Sequence, residues 1–303
     1  MSTNILKSRS GKINIQSYIK SFLTLMKPRV MSLVIFTCGV GYLISNPSLE
    51  TFNAIASIFL VAIGAGASAC LNMWYDSDID ALMTRTCLRP IPTGKISKNN
   101  ALAYGIFLTI ISVIGLNYFS NTLSAILLLS TILFYLFVYT IWLKRKTPQN
   151  IVIGGAAGAL PPVIGWTISA NTISVEPIIL FLIIFFWTPS HFWALSLYKA
   201  DDYKKANVPM MPIYSGIEKT KLYILVYSLI MLPLVSLPYL LKFSGLLYFI
   251  PTMILTLYYN FICYELFKFK KNKFESKIAK KVFGYSIFYL FLIFLLILID
   301  HSF

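Results

Sequence analysis

The sequence predicts an all-α integral membrane protein with nine transmembrane helices, and three observations support this fold class. Of its 303 residues, 57% are hydrophobic and only 12% are charged, whereas about a quarter of the residues of a soluble domain are charged. Nine segments reach the roughly 20 apolar residues that a spanning helix needs. The Lys and Arg residues lie almost entirely between alternate pairs of these segments. The net charge of +15 therefore indicates topology and contact with membrane lipid, not nucleic acid.

Short turns that are polar or contain Gly and Pro separate the predicted spans. No stretch between them has the composition of a soluble domain or a linker, so we predict a single membrane domain over residues 1–303. Residues 1–23 contain four basic residues and no acid, which predicts a cytoplasmic tail, with a transit peptide as the alternative. The nine spans are 25–45, 52–74, 101–119, 122–143, 150–169, 175–197, 221–241, 245–266 and 281–300.

The distribution of basic residues predicts the orientation of the chain. If the spans alternate in direction, 25 of the 26 Lys and Arg residues lie on one side, and only Lys242 lies on the other. By the positive-inside rule the N-terminus is cytoplasmic and the C-terminus is outside. The two longest connections, 75–100 and 198–220, follow helices 2 and 6 on the cytoplasmic side. Loops of this length in a compact fold are typical of functional segments.

Acidic residues are concentrated where these two loops begin. Five of the eleven acids lie there, namely Asp76, Asp78 and Asp80 after helix 2, and Asp201 and Asp202 after helix 6. Chance placement would not bring nearly half of the acids to two corresponding points of the chain. Both points are therefore candidate functional sites.

Asn72, Asp76 and Asp80 stand at i, i+4 and i+8, which places three oxygen donors along one face of a helix. Carboxylates at this spacing repel one another unless a cation lies among them. Hard oxygen ligands suit Mg²⁺, which readily shares its coordination shell with phosphate oxygens. The pattern predicts a Mg²⁺ site, and the simpler alternative is a solvated helix end whose acids pair with Arg85 or Arg89.

Arg85 and Arg89 follow the acids one helical turn apart. A guanidinium group can bind a phosphate with two parallel hydrogen bonds, so the pair predicts a phosphate-binding site. Basic residues that only set the topology are the alternative. Pro90 and Gly94 then end any helix and suggest that the segment forms a lid.

These motifs resemble the first signature of the intramembrane aromatic prenyltransferases of the UbiA type, and in detail the branch of that family whose acceptor is heme. The resemblance covers nearly the whole chain, and so long a combination of motifs is highly specific. The matching segments are 27–30, 72–86 with 89–90, 139–145, 150–158, 161–162, 188–195, 202–203 and 209–210.

The resemblance implies a Mg²⁺-dependent transfer of a farnesyl group from farnesyl diphosphate to a vinyl group of heme b, with addition of water. It also implies the inner membrane of a bacterium and a downstream partner that modifies heme or assembles an oxidase. The expected catalytic residues are Asp76, Asp80, Arg85 and Arg89. The expected metal ligands are Asn72, Asp76, Asp80 and Asp202, and the expected substrate-binding residues are Asn72, Arg29, Lys144, Arg145, His191, Asp202 and Tyr203.

The second acidic motif departs from the pattern of the broader family. Many members carry two carboxylates four residues apart after helix 6, whereas here Asp201 and Asp202 are adjacent and position 206 is Ala. A second Mg²⁺ would thus have fewer protein ligands. This reduced motif is consistent with the heme branch.

His191 lies inside the sixth predicted span. A histidine within a membrane is costly unless it faces a cavity or a partner, so it is a candidate to bind the heme iron, to hydrogen-bond a propionate or to move a proton. A histidine hydrogen-bonded to a carbonyl group of a neighbouring helix is the structural alternative. A related prenyltransferase acting on a quinone precursor or chlorophyllide, or a transporter of an anionic metabolite, stays open as a function.

Overall fold

The computed structural model describes residues 15–269 and 273–302, and within these residues the protein is entirely helical. The helices are α1 (Ile15–Leu25), α2 (Pro28–Leu43), α3 (Thr51–Tyr75), α4 (Ser77–Leu82), α5 (Lys98–Phe119), α6 (Thr122–Leu133, continued by a π-helical segment over Phe134–Leu143), α7 (Asn150–Ala159), α8 (Pro161–Ala170), α9 (Val175–Tyr198), α10 (Ala200–Lys205), α11 (Met211–Tyr214), α12 (Ile217–Leu240), α13 (Leu246–Lys268) and α14 (Lys273–Ser302). The predicted all-α fold class is confirmed.

Eight helical segments in the described part of the chain are long and apolar enough to cross a membrane, and the number is nine if α1 and α2 form one bent span. The segment Asn150–Ala170 counts as one span although the helix is interrupted between α7 and α8. Pro161 begins α8, and its missing N–H and fixed ring explain the interruption. The structure thus supports a membrane protein with many spans, close to the predicted number.

The first predicted span, 25–45, differs most from the structure. The chain bends by 50° between α1 and α2, and Lys27 at the bend has a left-handed backbone with φ of 53°. Because α2 begins at Pro28, the preceding residue is disfavoured in the α-helical conformation. Residues 15–23 of the predicted tail are helical and belong to α1, whereas residues 1–14 lie outside the described residues.

Helices α2 and α8 approach each other so closely that glycine is required at two contacts. A Cβ atom on Gly41 would overlap the carbonyl oxygen of Pro162, and one on Gly165 would overlap the carbonyl oxygen of Cys38. Small residues that allow backbones to approach are typical of helix contacts in membranes. This contact holds α2, and with it Lys27, against α8.

The π-helical segment at the end of α6 sets the positions of several polar side chains. The N–H of Lys144 donates to the carbonyl oxygen of Tyr139 five residues earlier, at 2.9 Å. The hydroxyl of Thr140 likewise donates to the carbonyl oxygen of Tyr135, at 2.8 Å. Segments of this kind are rare and occur often at functional sites. The wider turn directs Tyr135, Tyr139, Thr140 and Lys144 toward the acidic end of α3.

Candidate active site

The acidic residues after helix 2 lie at a small break between α3 and α4. The helix does not run straight through as predicted, because Asp76 leaves the helical conformation with φ of −82° and ψ of 6°. The i to i+4 hydrogen bonds nevertheless continue, from the N–H of Asp76 to the carbonyl oxygen of Asn72 at 2.9 Å and from the N–H of Asp80 to that of Asp76 at 2.8 Å. The three predicted ligands therefore stay close together, and all three are buried.

Two of the carboxylates are paired with cations from other segments. Asp76 is completely buried and contacts the amine of Lys144, 68 positions later in the chain. Asp80 accepts a hydrogen bond of 2.6 Å from Nη1 of Arg89. Because a buried and unpaired charge is strongly unfavourable, these cations stabilise the ionised carboxylates in the folded protein.

The third carboxylate, Asp78, lies at the edge of the site. Its two oxygens each accept a hydrogen bond of 2.8 Å from Arg145, whose guanidinium also lies over the ring of Tyr75. The hydrogen bonds from Arg145 lower the pKa of Asp78 to about 2, and the same contact raises the pKa of Arg145. The side chain of Asp78 is 55% exposed, so this pair encloses the site without being part of its buried centre.

Asn72 connects the acids to two other segments. Its Nδ2 donates to Oδ2 of Asp76 at 2.7 Å and to the hydroxyl oxygen of Thr140 at 3.1 Å. Its Oδ1 accepts a hydrogen bond of 3.0 Å from the amine of Lys27. A lysine ammonium can only donate, so this contact also determines which way the amide points. Asn72 thus holds the bend before α2, the end of α3 and the π-helical segment in one cluster.

A cavity of about 340 Å³ opens beside this cluster. Along α3 its lining runs from Asn72 to Val61, which is about 16 Å at 1.5 Å per residue. The charged and polar lining residues include Lys27, Asn72, Asp80, Arg85, Arg89 and Lys144. The apolar lining includes Val34, Val61, Ala65, Leu128, Ile132, Ala157, Pro161 and Ile164, and Tyr135 and Tyr139 also line the cavity.

The oxygen donors at the end of α3 fit a divalent cation. Oδ1 of Asp76 is buried and accepts no hydrogen bond, although Nη2 of Arg145 lies 3.6 Å away. An oxygen left without a partner is costly in a buried site, and a hard cation would satisfy it. Within residues 15–269 and 273–302 there is no group of three or more His, Cys, Asp or Glu side chains that could hold a metal. A metal here would therefore need the Asn72 oxygen or phosphate oxygens besides the carboxylates.

The structure does not bring all of the predicted residues to the cavity. Tyr203 lines it, and so does Arg85, which forms no ion pair within the described part of the chain. Arg29 is exposed and is not part of the lining, whereas Lys27, two positions earlier, is. Asp202 is buried and, like Asp76 and Arg145, is not part of the lining; its Oδ2 accepts a hydrogen bond of 2.6 Å from the hydroxyl of Thr84.

His191 is also absent from the lining of the cavity and faces α14 instead. Its Nδ1 lies 2.7 Å from the hydroxyl of Ser286. Its ring stacks on Trp187, with centroids 4.3 Å apart, and on Phe283 at 4.5 Å. These contacts are of the kind the structural alternative describes, a histidine held by a neighbouring helix, but its partner is a hydroxyl and not a carbonyl. The adjacent Phe192 is the residue of this segment that reaches the cavity.

The prediction missed four residues of the site, namely Lys27, Tyr135, Tyr139 and Thr140. Lys27 had a local signal, because it precedes Pro28 inside a segment already noted for its resemblance. Tyr139 and Thr140 lie in another such segment, 139–145, whereas Tyr135 had no local signal, because its placement depends on the π-helical turn, which hydropathy does not show. Tyr135 and Tyr139 line the cavity, and the hydroxyl of Thr140 accepts a hydrogen bond from Asn72.

Sequence comparisons identify related proteins. The profile of the UbiA prenyltransferase family matches residues 34–297. A Pelagibacter ubique protein named protoheme IX farnesyltransferase is 67% identical over 296 residues, which cover 97% of this chain and 97% of that protein. A Parvibaculum lavamentivorans protein of the same name is 49% identical over 281 residues, which cover 93% of this chain and 88% of that protein.

Solved structures of more distant proteins share the fold. A structure of a digeranylgeranylglyceryl phosphate synthase superimposes with a TM-score of 0.77 at 22% identity and covers 94% of this chain and 99% of that chain. A UbiA homologue from Archaeoglobus fulgidus, bound to GPP and Mg²⁺, gives a TM-score of 0.64 at 20% identity and covers 91% of this chain and 99% of that chain. The helices of the chain are therefore arranged as in UbiA proteins.

Proposed function

The chain belongs to the UbiA prenyltransferase family, and on this premise we propose that it acts as a protoheme IX farnesyltransferase, transferring a farnesyl group from farnesyl diphosphate to a vinyl group of heme b. Its relatives of that name match it over nearly its whole length. The structural observation that carries the proposal is the cavity in which a cluster of cations and carboxylates meets an apolar lining. Farnesyl diphosphate has the same two parts, a highly charged head and a hydrocarbon tail.

The cations that line the cavity bind and stabilise the diphosphate. Lys27, Arg85, Arg89 and Lys144 all reach the lining. Arg85 has no carboxylate partner among the described residues, so its charge is available to the ligand. As the bond to the farnesyl group breaks, negative charge develops on the departing oxygens, and fixed cations in a site sheltered from water stabilise that charge.

The donors Asn72, Asp76 and Asp80 would hold Mg²⁺ against the diphosphate. When bound, Mg²⁺ supplies Lewis-acid neutralisation of the leaving group. The protein's own contribution is to hold these three side chains through Lys27, Lys144 and Arg89. Asp202 is left out of this metal site because it is bonded to Thr84 and is not part of the hydrogen-bonded cluster around Asn72.

The transfer proceeds by breaking the bond between C1 of the farnesyl group and the diphosphate oxygen, whose electron pair leaves with the diphosphate. The allylic cation then bonds to the terminal vinyl carbon of heme b. Water adds to the cation left on the adjacent carbon and loses a proton, so the products are heme O and diphosphate. The apolar lining and the rings of Tyr135 and Tyr139 shield the allylic cation from early capture by water.

The acceptor heme approaches the charged end of the cavity from outside the described lining. A cavity of about 340 Å³ is at the lower end of the range for sites of drug-sized ligands, so it holds the farnesyl chain without the porphyrin. Phe192 is the residue of the 188–195 segment that lies at this cavity. We assign the heme contact to its surroundings and give His191 no contact with heme.

The orientation that follows from the basic residues suits this chemistry. We place the N-terminus and the loops after α3 and α9 on the cytoplasmic side of a bacterial inner membrane. The charged end of the site then faces the compartment that contains water-soluble diphosphate and Mg²⁺. The farnesyl chain and heme are both lipophilic, so both can reach a site inside a membrane domain. The farnesyl chain enters the cavity, and heme approaches its charged end.

The test is to incubate purified membranes containing the protein with heme b, farnesyl diphosphate and Mg²⁺ and to measure heme O by mass spectrometry. We expect heme O to form at a rate that membranes without the protein do not reach. A parallel reaction with 4-hydroxybenzoate instead of heme b serves as the control for the acceptor. Prenylation of 4-hydroxybenzoate without formation of heme O would contradict the heme assignment and leave the prenyltransferase activity.

A further inference from the structure

Thr84, which lies between α4 and α5, is hydrogen-bonded to Asp202, which lies in α10. The hydroxyl of Thr84 donates to Oδ2 of Asp202 at 2.6 Å, across 118 positions of the sequence. Asp202 is 7% exposed. The hydroxyl of Thr84, and to a smaller degree its backbone N–H, lower the pKa of Asp202 by stabilising its charged form. We call this contact the 84–202 tie.

Asp202 differs in its partners from the carboxylates at the end of α3. Asp76 and Asp80 are each paired with a cationic side chain and belong to the cluster around Asn72. Within residues 15–269 and 273–302, Asp202 forms neither an ion pair nor a hydrogen bond with the cluster around Asn72. The neighbouring Asp201 is exposed, position 206 is Ala, and the described residues contain no group of three or more His, Cys, Asp or Glu side chains that could hold a metal, so Asp202 offers a second metal too few protein ligands.

Each residue of the tie is followed in the chain by a residue that lines the cavity. Arg85 follows Thr84 directly, and Tyr203 follows Asp202 directly, and both line the cavity. The segment that carries Arg85 has no regular helix between the end of α4 and the start of α5. Its position depends on turn hydrogen bonds, such as that from the N–H of Thr86 to the carbonyl oxygen of Met83 at 3.0 Å, on the hydrogen bond of 2.9 Å from the hydroxyl of Thr86 to the carbonyl oxygen of Asp80, and on the 84–202 tie.

We propose that Asp202 is a positioning residue that holds Thr84, and thereby keeps Arg85 where the diphosphate binds, instead of acting as a ligand of a second Mg²⁺. The proposal rests on the proposed function only in taking farnesyl diphosphate as the ligand. A hydrogen bond to an ionised carboxylate is stronger than one between neutral groups. Its loss would allow Arg85 to sample positions away from the ligand, and affinity for the diphosphate would fall.

The experiment compares farnesyl diphosphate binding and metal binding in purified full-length protein in lipid nanodiscs. The variants are Asp202→Asn, Thr84→Val and the double variant, and the matched control is Asp201→Asn, because Asp201 is the exposed neighbour of Asp202. We expect each single variant to weaken farnesyl diphosphate binding by on the order of 10- to 100-fold, the range that a hydrogen bond to a charged group covers. The control is expected to bind as the unchanged protein does.

The double variant and the metal distinguish a positioning role from a ligand role. If the two residues act through one contact, the double variant binds farnesyl diphosphate no more weakly than the single variant with the lower affinity. Mn²⁺ bound per chain, measured by electron paramagnetic resonance, is expected to be the same in all variants. Loss of bound Mn²⁺ in Asp202→Asn but not in Thr84→Val would overturn the proposal in favour of a metal ligand, and additive effects or no effect of the single variants would also overturn it.

Thr84→Ser keeps the result decisive if Thr84→Val lowers the amount of folded protein. Serine retains the hydroxyl, so it is expected to restore farnesyl diphosphate binding, and failure to do so would contradict the tie. None of these measurements uses heme. The heme assignment can therefore fail while the tie is confirmed, and a protein that makes heme O can still contradict the tie.

Discussion

The ends of α3 and α9 carry similar acidic runs, but the structure holds them in different ways. At the end of α3, buried Asp76 and Asp80 contact Lys144 and Arg89, and the cavity opens beside them. At the end of α9, Asp202 contacts only the neutral hydroxyl of Thr84 among its side-chain partners. The partners of the acids, and not the acids themselves, therefore distinguish the two ends. At the end of α3 a bound metal can replace a cationic side chain beside a carboxylate, whereas Asp202 connects two segments of the chain through Thr84.

Removal of the metal is expected to have the largest effect. Treatment with EDTA should abolish formation of heme O, and Mg²⁺ should restore it, because the leaving diphosphate then loses its Lewis acid. Titration of the metal-free protein with Mn²⁺ in the presence of farnesyl diphosphate should show that the end of α3 accounts for all protein-dependent binding. Loss of bound metal in an Asp202→Asn variant would show that Asp202 is also a metal ligand, contrary to what its contacts indicate.

Replacement of a single acid should separate the two ends next. Asp76→Ala is expected to lower the rate of heme O formation by about 100-fold or more, since it removes a metal ligand and leaves Lys144 without its partner. Asp201→Ala, at an exposed position of the other end, should change the rate little. The measurement is the initial rate at saturating substrates, with the yield of membrane-inserted protein as the control. A nearly unchanged rate in Asp76→Ala would remove the α3 end as the catalytic site.

His191→Ala tests whether α9 contributes more than packing. The change removes the contact with Ser286 and leaves a gap between Trp187 and Phe283. We expect it to lower the free energy of unfolding by about 1–3 kcal/mol and to leave the affinity for heme unchanged. Thermal unfolding in detergent and heme titration by absorbance measure the two quantities. Weaker heme binding with unchanged stability would restore His191 as a ligand residue.

The smallest expected effect is the response of the Asp78–Arg145 pair to acid. Hydrogen bonds from Arg145 lower the pKa of Asp78 from 3.8 to about 2. A lowered pKa in the folded state means that the stabilisation is complete above the unfolded value and is lost as the pH falls through about 2. Stability should thus not respond to this pair between pH 8 and 5. Below pH 4 the loss should be smaller in an Asp78→Asn variant, and an equal loss in both would show that other groups dominate.

Several features of the fold and site could be predicted because they depend on local sequence. A long apolar segment in a membrane must satisfy its backbone hydrogen bonds internally, which favours a helix. The spans predicted at 52–74, 101–119 and 175–197 are accordingly close to α3, α5 and α9. The spacing of Asn72, Asp76 and Asp80 survives the break after α3, because the i to i+4 hydrogen bonds continue across it. The break before α2 also has a local cause in Pro28, although the span prediction passed over it.

Hydropathy and helical spacing are properties of neighbouring residues, so they are enough to predict a membrane bundle with acids and arginines gathered at the end of α3. The partner that each charged group contacts depends on tertiary packing. Lys144 reaches Asp76 across 68 positions and Thr84 reaches Asp202 across 118, and the turn of α9 sends His191 to α14 while Phe192 faces the cavity. Such contacts depend on how helices pack and turn about their axes, which no local pattern specifies.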